Sequence, residues 1–229
     1  MTSQAEQSTY ASKVRVLTWN LFHGRSVPPA GRDLFEAFSE LIASWEWEVA
    51  LLQEVPPWWP ERLAQRANAA ARSTLTSRNF LLALRRLIAV RQPDLIKSNG
   101  GGCNAILVRD AQIAEHRVKR LGWWPERRLM HAVRLSDGSW VGNLHTNADA
   151  SQGVRAAETL LGWAAGAPVA LGGDFNVHEP SLPGLTRAGG HGVDQVYCGA
   201  GFAGGSTQVL ERRRLSDHAP VLVSLGTQL

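Results

Sequence analysis

Acidic, amide and imidazole side chains recur in this sequence directly after short apolar runs. In PVALGGDFNVHE, from Pro168 to Glu179, such a run ends in two glycines and is followed by Asp174 and Asn176. Runs of this kind are typical of strands buried on both faces, and terminal glycines let the backbone approach a ligand closely. Residues two apart in extended chain point the same way, so we expect Asp174 and Asn176 to share one face as acceptor and N–H donor. A simple Gly-Asp-Asn turn explains the same residues equally well.

The pattern recurs at other apolar runs, which adjoin Asn20, Glu54, His145, Asp194, Asp217 and His218. Two prolines closely follow Glu54, so we expect its carboxylate to be held in position rather than freely solvated. Taken alone, a histidine at a strand end is more often structural than catalytic. Together, acids, amides and two histidines suit a hard divalent cation and phosphoryl chemistry, since Mg²⁺ takes few carboxylates and leaves room for water and substrate oxygens. Zinc would ask for more nitrogen or sulfur ligands.

Hydrophobic periodicity predicts the elements that position these residues. Strands are predicted for 14–20, within 45–55, and for 103–109, 113–118, 129–135, 140–145, the run from 168, and a final pair at 206–213 and 219–225. Helices are predicted for 33–43, twice between 60 and 90, and for 151–165. Asp137-Gly138 is a hairpin signal, so the middle of the chain is interpreted as an antiparallel meander. The segment between 179 and 192 is interpreted as a loop.

Composition favours one domain with polyanionic partners. The chain has 229 residues, 44% of them hydrophobic, and we expect a disordered tail at 1–12 before a single domain at 13–229. The net charge of +4 favours nucleic acid or phosphorylated substrates. Cys103 and Cys198 have no neighbours at zinc-site spacing and are expected to be core residues. The polar first residues and the lack of a long apolar run predict a cytoplasmic protein without stable membrane insertion, and we expect a monomer.

Two features of the sequence allow more than one interpretation. Seven arginines between Arg62 and Arg91 would contact a phosphate backbone or simply form a solvated face, and we favour the solvated face. Trp-Trp-Pro-Glu-Arg occurs at 58–62 and again at 123–127. These tryptophans would contact bases or a lipid surface, or anchor loops to the core, and we favour anchoring.

Six motifs in order resemble the endonuclease/exonuclease/phosphatase superfamily, which has the deoxyribonuclease-I-like fold. They are Thr18-Trp19-Asn20, Gln53-Glu54, Asn143-Leu144-His145-Thr146, Gly173-Asp174-Phe175-Asn176, Val193-Asp194-Gln195-Val196 and Ser216-Asp217-His218. The resemblance implies an α/β (α+β) fold, a four-layer α/β sandwich of two packed mixed β-sheets flanked by helices. It also implies Mg²⁺- or Mn²⁺-dependent hydrolysis of a phosphoester at one edge of the sandwich.

The same resemblance implies roles for the individual residues. Glu54 matches the principal metal carboxylate, with Asn20 and Asp217 near the metal or its waters. Asp174 matches the residue that orients or deprotonates the attacking water, and Asn176 the amide that holds a phosphate oxygen.

Histidines complete the implied site. His218 would bind the scissile phosphate or act as acid or base, while Asp194 accepts its other ring N–H and fixes its tautomer. His145 matches a histidine of deoxyribonuclease-like and phosphatase-like members and argues against an abasic-site repair enzyme. Phe22 and His23 stand where repair enzymes place an acid, which favours a single metal ion held through Glu54.

These features lead us to expect a nuclease that cleaves nucleic acid, DNA rather than RNA, by in-line attack of water on phosphorus. One alternative is a phosphatase or phosphodiesterase acting on a small or lipid phosphoester, such as an inositol phosphate or a sphingomyelin-like head group. A second is a nucleic-acid-binding module without catalysis. Such a module would be expected to lack Glu54, Asp174 or His218, and all three are present.

Overall fold

The computed structural model describes residues 13–76, 79–96, 102–124 and 126–227, so the tail predicted at 1–12 lies outside the described residues. The strands are β1 (Lys13–Asn20), β2 (Val49–Val55), β3 (Ala70–Leu75), β4 (Cys103–Val108), β5 (Ile113–Gly122), β6 (Arg128–Leu135), β7 (Trp140–His145), β8 (Val169–Asp174), β9 (Thr186–His191), β10 (Asp194–Cys198), β11 (Phe202–Val209) and β12 (Val221–Thr227). The helices are α1 (Phe35–Ser44), α2 (Pro60–Ala67), α3 (Leu82–Arg91), α4 (Pro93–Ile96) and α5 (Ala150–Ala164).

The strands form two six-stranded mixed sheets packed face to face. The first has the order β11-β12-β1-β2-β4-β3 and the second β5-β6-β7-β8-β10-β9. Within each sheet one central pair is parallel, β1 with β2 and β7 with β8, while the other described pairs are antiparallel. With helices outside both sheets, this is the predicted four-layer α/β sandwich.

Three apolar clusters hold the layers together. Helices α1 and α2 place Phe38 and Leu63 against the outer face of the first sheet. Between the sheets, residues such as Leu51 and Val141 interdigitate. On the far side, α5 packs Leu160 against the second sheet. Because alternate residues of a strand point to opposite faces, each central strand supplies two of these clusters and is apolar along most of its length.

Strand register brings the polar residues to one rim. In the parallel pair β1–β2, Asn20 lies opposite Gln53, next to Glu54. In the parallel pair β7–β8, His145 lies opposite Asp174. Because parallel strands end at the same edge of their sheet, each sheet brings its polar residues to one edge. The 3.0 Å hydrogen bond from Asn20 Nδ2 to Asp174 Oδ2 joins these two edges on the same side of the sandwich.

Most predicted elements are confirmed, and the exceptions are the edge strands β3 and β9 and the sheet to which β4 belongs. The Ala- and Arg-rich stretch from 60 to 90 contains the strand β3 between its two predicted helices, and the segment interpreted as a loop contains β9. Both are edge strands, which need no continuous apolar run. Strand β4 is not part of the predicted meander, because it pairs with β2 and β3 in the other sheet. Cys103 and Cys198 are free and buried, as predicted.

Candidate active site

Glu54 extends from the end of β2 toward two imidazoles. Its Oε2 lies 3.0 Å from Nε2 of His23, and its Oε1 lies 4.0 Å from Nδ1 of His145. Glu54 has a φ of 49°, a left-handed conformation that a non-glycine residue adopts at a cost in energy. Burial would raise the pKa of Glu54, but the His23 hydrogen bond and nearby positive charges outweigh it and hold the pKa at about 2. Glu54 is therefore an ionised carboxylate at neutral pH.

Asp174 is the buried acid at the centre of the rim. Its Oδ2 accepts a 3.0 Å hydrogen bond from Nδ2 of Asn20 and lies 3.5 Å from Nε2 of His145 and 3.9 Å from Nε2 of His218. Burial raises the pKa of Asp174, although the His218 charge and the Asn20 hydrogen bond oppose that change. An acid with a raised pKa that is held between two histidines is suited to accepting a proton.

The two histidines beside Asp174 have opposite electrostatic environments. His145 is buried, and burial lowers its pKa to about 3, which keeps the imidazole neutral. Burial also acts to lower the pKa of His218, but its hydrogen bond to Asp194 and the surrounding carboxylates raise it to about 9. The site therefore combines one neutral and one cationic imidazole at neutral pH.

His218 is fixed on three sides. Its Nδ1 lies 2.7 Å from Oδ2 of Asp194, its backbone N–H donates to Ser216 Oγ at 3.0 Å, and its carbonyl accepts from Trp19 Nε1 at 3.0 Å. The Ser216 hydroxyl also donates to the carbonyl of Asn20 at 2.6 Å, which ties the His218 loop to the end of β1. These contacts fix the orientation of the imidazole, whose Nε2 faces Asp174.

Asn176 does not share an extended face with Asp174, contrary to the expectation from spacing. Strand β8 ends at Asp174, and Asn176 has a φ of 49°. Its backbone N–H donates to Oδ1 of Asp174 at 2.9 Å, and its side-chain amide donates to the carbonyl of Thr146 at 2.9 Å. The turn interpretation is therefore correct for the backbone, because the Asp174 carboxylate accepts a hydrogen bond from the backbone N–H of Asn176, two residues later in the chain. The Asn176 side chain is nevertheless exposed at the rim.

The donor set fits a divalent cation. Ionised Glu54 faces two imidazoles, and ligand atoms of Asp174, Asp194 and His218 lie within 4.8 Å of one another. Asp194 Oδ1 is buried and has no hydrogen-bond partner among the described residues. Asp217 is the outlying member of the predicted site, because its side chain is 45% exposed and its Oδ1 lies 4.0 Å from Nε2 of His218.

Sequence reasoning missed several residues that build the site. Gln53 Nε2 donates to Asn143 Oδ1 at 2.8 Å, and Asn143 donates to backbone carbonyls of β2 and β4, so this buried pair joins the two sheets behind Glu54 and His145. Both residues belong to the recognised motifs, so the motifs could have been used to predict that they support the site. His23 had no assigned role, and nothing in the sequence distinguished Arg128, whose charge lowers the pKa values of Glu54 and His145.

The tryptophan pairs differ from each other. Trp59 is buried between α1 and α2, so the first pair anchors a loop as predicted. Trp123 and Trp124 are 66% and 87% exposed, so the anchoring interpretation is wrong for the second pair. The Arg120 guanidinium lies 3.9 Å from the centre of the Trp123 ring. No described helix has the length and apolarity required to cross a membrane.

Two mixed sheets in a four-layer sandwich, with acids, amides and histidines at one rim, define a phosphoesterase-type α/β sandwich. The sequence profile of the Endonuclease/Exonuclease/phosphatase family matches residues 17–218, and the chain belongs to this family. The family includes nucleases and phosphatases, and its members are phosphoester hydrolases. A search of curated proteins returned no match.

Solved structures share the fold at low sequence identity. An endonuclease/exonuclease/phosphatase from Beutenbergia cavernae DSM 12333 is 20% identical, with a TM-score of 0.67 over 94% of this chain and 72% of that one. TDP2 from Caenorhabditis elegans is 16% identical, with a TM-score of 0.67 over 98% and 77%. The mannosyl-6-phosphatase Bt3783 of Bacteroides thetaiotaomicron VPI-5482 is 16% identical, with a TM-score of 0.67 over 93% and 99%.

Proposed function

We propose that this protein is a divalent-metal-dependent hydrolase of phosphodiesters. The observation that carries the proposal is the convergence on Asp174 of a neutral histidine, His145, and a cationic histidine, His218, each within 4 Å. Glu54, with Asn20 and Asp217 nearby, would hold a Mg²⁺ or Mn²⁺ ion. That ion would supply positive charge to the phosphoryl oxygens and to the leaving oxygen.

The other catalytic roles belong to side chains of the protein. Asp174, held by Asn20, orients the attacking water and accepts its proton, because its raised pKa makes it a better base than an ordinary aspartate. His218, kept protonated by Asp194, binds the scissile phosphate and stabilises charge as the phosphorus is attacked in line. His145 and the exposed amide of Asn176 donate hydrogen bonds to the remaining phosphate oxygens. Fixed donors of this kind need no reorganisation during the reaction.

Nucleic acid is the first substrate class to test. The net charge is +4, and Arg25 and Arg128 lie close enough to the site to interact electrostatically with Glu54. Arginine side chains in such positions complement the phosphates on either side of a scissile bond. The more specific proposal is therefore a nuclease, acting on DNA.

The decisive assay uses purified protein with supercoiled plasmid, a single-stranded oligonucleotide and a chromogenic phosphodiester, each with Mg²⁺, Mn²⁺ or EDTA. Asp174→Asn keeps the size of the buried side chain but removes the base, so turnover should fall by about 10²–10⁴-fold. His178→Ala alters an exposed histidine four residues away and should keep wild-type turnover. Full activity in EDTA or in Asp174→Asn would refute the proposed mechanism.

Exposed apolar side chains favour a second candidate, a phosphodiesterase of lipid substrates. Around α3 and α4, large apolar residues are 43–69% exposed, namely Phe80, Leu81, Leu84, Leu87, Val90 and Leu95. Arg86 and Arg91 lie on the same segment and are also exposed. Five of these six side chains are aliphatic, and aliphatic side chains beside arginines suit an anionic lipid surface, whereas nucleic acid would favour aromatic stacking. Turnover of a lipid phosphodiester, with plasmid left intact, would select this candidate.

A further inference from the structure

His23 is the side chain nearest to Glu54 in the candidate site. Its Nε2 lies 3.0 Å from Glu54 Oε2, and only 15% of the His23 side chain is exposed. The residue lies in a short 3₁₀ turn, Phe22–Gly24, directly after β1. It was not assigned to the site by the motifs, because it stands in a position where the resemblance breaks down.

The backbone holds this imidazole at an energetic cost. Phe22, His23 and Glu54 have φ values of 48°, 54° and 49°, so three non-glycine residues around one contact are left-handed. Such conformations are sparsely populated and persist where the surrounding structure enforces them, often at functional sites. The turn is fixed by the Asn20 side chain, whose Oδ1 accepts the Phe22 N–H at 2.9 Å.

The opposite edge of the ring is packed against the chain. A Cβ built at Gly102 would lie 3.3 Å from Cε1 and 3.4 Å from Nδ1 of His23, so the backbone at Gly102 closes this side of the ring and a larger residue would displace the ring slightly. With Nδ1 turned toward Gly102, Nε2 is the nitrogen presented to Glu54. His23 therefore meets the carboxylate with one defined nitrogen.

The spacing of these atoms matches two ligands of one ion. Adjacent ligands of an octahedral ion, each at about 2.1 Å, are separated by about 3.0 Å. The His23 Nε2 to Glu54 Oε2 distance is 3.0 Å. The other Glu54 oxygen faces His145 Nδ1 at 4.0 Å, so the carboxylate lies between two imidazoles.

We propose that His23 Nε2 is a ligand of the divalent ion held by Glu54, and that this nitrogen makes the site prefer Mn²⁺ over Mg²⁺. The inference rests on the proposed function only in assuming that Glu54 binds an ion. Imidazole is a common ligand of transition metals, whereas Mg²⁺ is bound almost entirely through oxygen. The competing explanation is that His23 only forms a hydrogen bond to Glu54 and never contacts the ion.

Binding of Mn²⁺ and Mg²⁺ to the metal-free protein, measured by isothermal titration calorimetry, tests the preference. We expect His23→Ala to weaken Mn²⁺ binding by about 10–100-fold, and Mg²⁺ binding by a smaller factor. His178→Ala is the matched control, because His178 is an exposed histidine on the loop after β8, and both affinities should equal those of the wild type. An equal loss of affinity for both ions in His23→Ala would overturn the inference, because a residue that only steadies Glu54 affects both ions alike.

Pulsed EPR of bound Mn²⁺ tests coordination directly. A directly bound imidazole nitrogen couples to the electron spin of Mn²⁺. We expect this ¹⁴N coupling in the wild type and in His178→Ala, and its loss or weakening in His23→Ala. A ¹⁴N signal that is unchanged in His23→Ala would overturn the inference.

Failure of this inference is distinguishable from failure of the proposed function, because both measurements are made without substrate. If the wild-type protein shows the His23-dependent coupling but hydrolyses no phosphodiester, the proposed function is refuted and the assignment of His23 as a metal ligand is supported. If turnover depends on the metal but the ¹⁴N coupling is unchanged in His23→Ala, the proposed function is supported and the assignment of His23 as a metal ligand is refuted. Absence of Mn²⁺ binding to the wild type would refute both.

Discussion

At the scale of single residues, the candidate site separates its two central histidines by environment. His145 is buried and its pKa is lowered to about 3, whereas the carboxylates around His218 raise its pKa to about 9. One fold thereby provides a neutral imidazole and a cationic one, both within 4 Å of Oδ2 of Asp174. The charge of His218 depends mainly on Asp194, whose Oδ2 lies 2.7 Å from Nδ1 of His218 and whose hydrogen bond and charge raise the pKa of that ring.

Replacing Asp194 tests that dependence. In Asp194→Asn the amide keeps the shape of the side chain but removes its charge, so the pKa of His218 should fall from about 9 toward the ordinary value. Titration of the His218 ring signals by NMR in the metal-free protein measures the change. The control is Asp137→Asn, in the turn between β6 and β7, which should leave the His218 titration unchanged. A His218 pKa that stays near 9 in Asp194→Asn would show that other groups hold the proton.

Residue types were easier to predict than residue geometry. The site residues could be named from their positions after apolar runs and from the motifs. The directions of their side chains could not be predicted. Asn176 and Glu54 adopt left-handed backbone conformations, which spacing along an extended strand does not predict. The position of the His23 ring could not be predicted either, because Gly102 is distant in the sequence and comes beside the ring only in the folded chain.

At the scale of elements, the β7–β8 pair shows how closely the backbone is packed behind the site. Gly173 has a φ of 139°, and a Cβ at this position would lie 2.0 Å from the carbonyl oxygen of Leu144. Gly173→Ala should therefore destabilise the fold by about 2 kcal/mol or more, because a backbone atom must move. The paired variant Gly162→Ala lies in α5, with open space around its Cβ, and should stabilise the protein by about 0.5–1 kcal/mol. Denaturant unfolding of both variants measures this difference, and a neutral Gly173→Ala would contradict the described packing.

Helices α2 and α3 make opposite contributions to the fold. Leu63 of α2 is 1% exposed, whereas no described side chain of α3 is buried. Leu63→Ala should cost about 2–5 kcal/mol of unfolding free energy because it leaves a cavity. Leu84→Gln with Leu87→Gln should change stability by less than about 1 kcal/mol, because both residues are about half exposed and glutamine is a good helix former. Urea unfolding curves measure both, and a large loss in the α3 variant would show that α3 packs against the core.

Elements covered on both faces were the ones that sequence patterns predicted best. The apolar runs gave β1 and β7 to within one residue, placed β2 within a longer segment and gave the start of β8, and the amphipathic pattern gave α1 to within two residues. The edge strands β3 and β9 were missed because one side of an edge strand has no partner strand, so its sequence is free to be polar or glycine-rich. The spacing of the leucines in α3 correctly predicted a helix, but it did not indicate that these leucines would be exposed and the helix would lie outside the core.

At the scale of the whole molecule, the space between the two sheets is not uniformly apolar. Toward the site it contains Gln53, Asn104, His131 and Asn143, all buried. His131 Nδ1 lies 3.1 Å from His116 Nε2, while its Nε2 has no hydrogen-bond partner among the described residues. Polar groups in this position hold the sheets in register, as the Gln53–Asn143 hydrogen bond does at 2.8 Å. They also make the packing of the sheets sensitive to protonation.

Acid should therefore weaken the sandwich through His131. Burial lowers the pKa of His131 to about 3, against an ordinary value of 6.5, so the unfolded chain binds more protons than the folded one between these values. The contribution is fully favourable above about pH 6.5 and is lost as the pH falls toward 3. Between pH 7 and pH 5 this one residue should remove about 2 kcal/mol of unfolding free energy. Urea unfolding at both pH values should show a smaller loss in His131→Gln than in the wild type, because the remaining histidines still titrate in both proteins. Equal losses in the two proteins would mean that His131 keeps its ordinary pKa and that the inter-sheet space admits water.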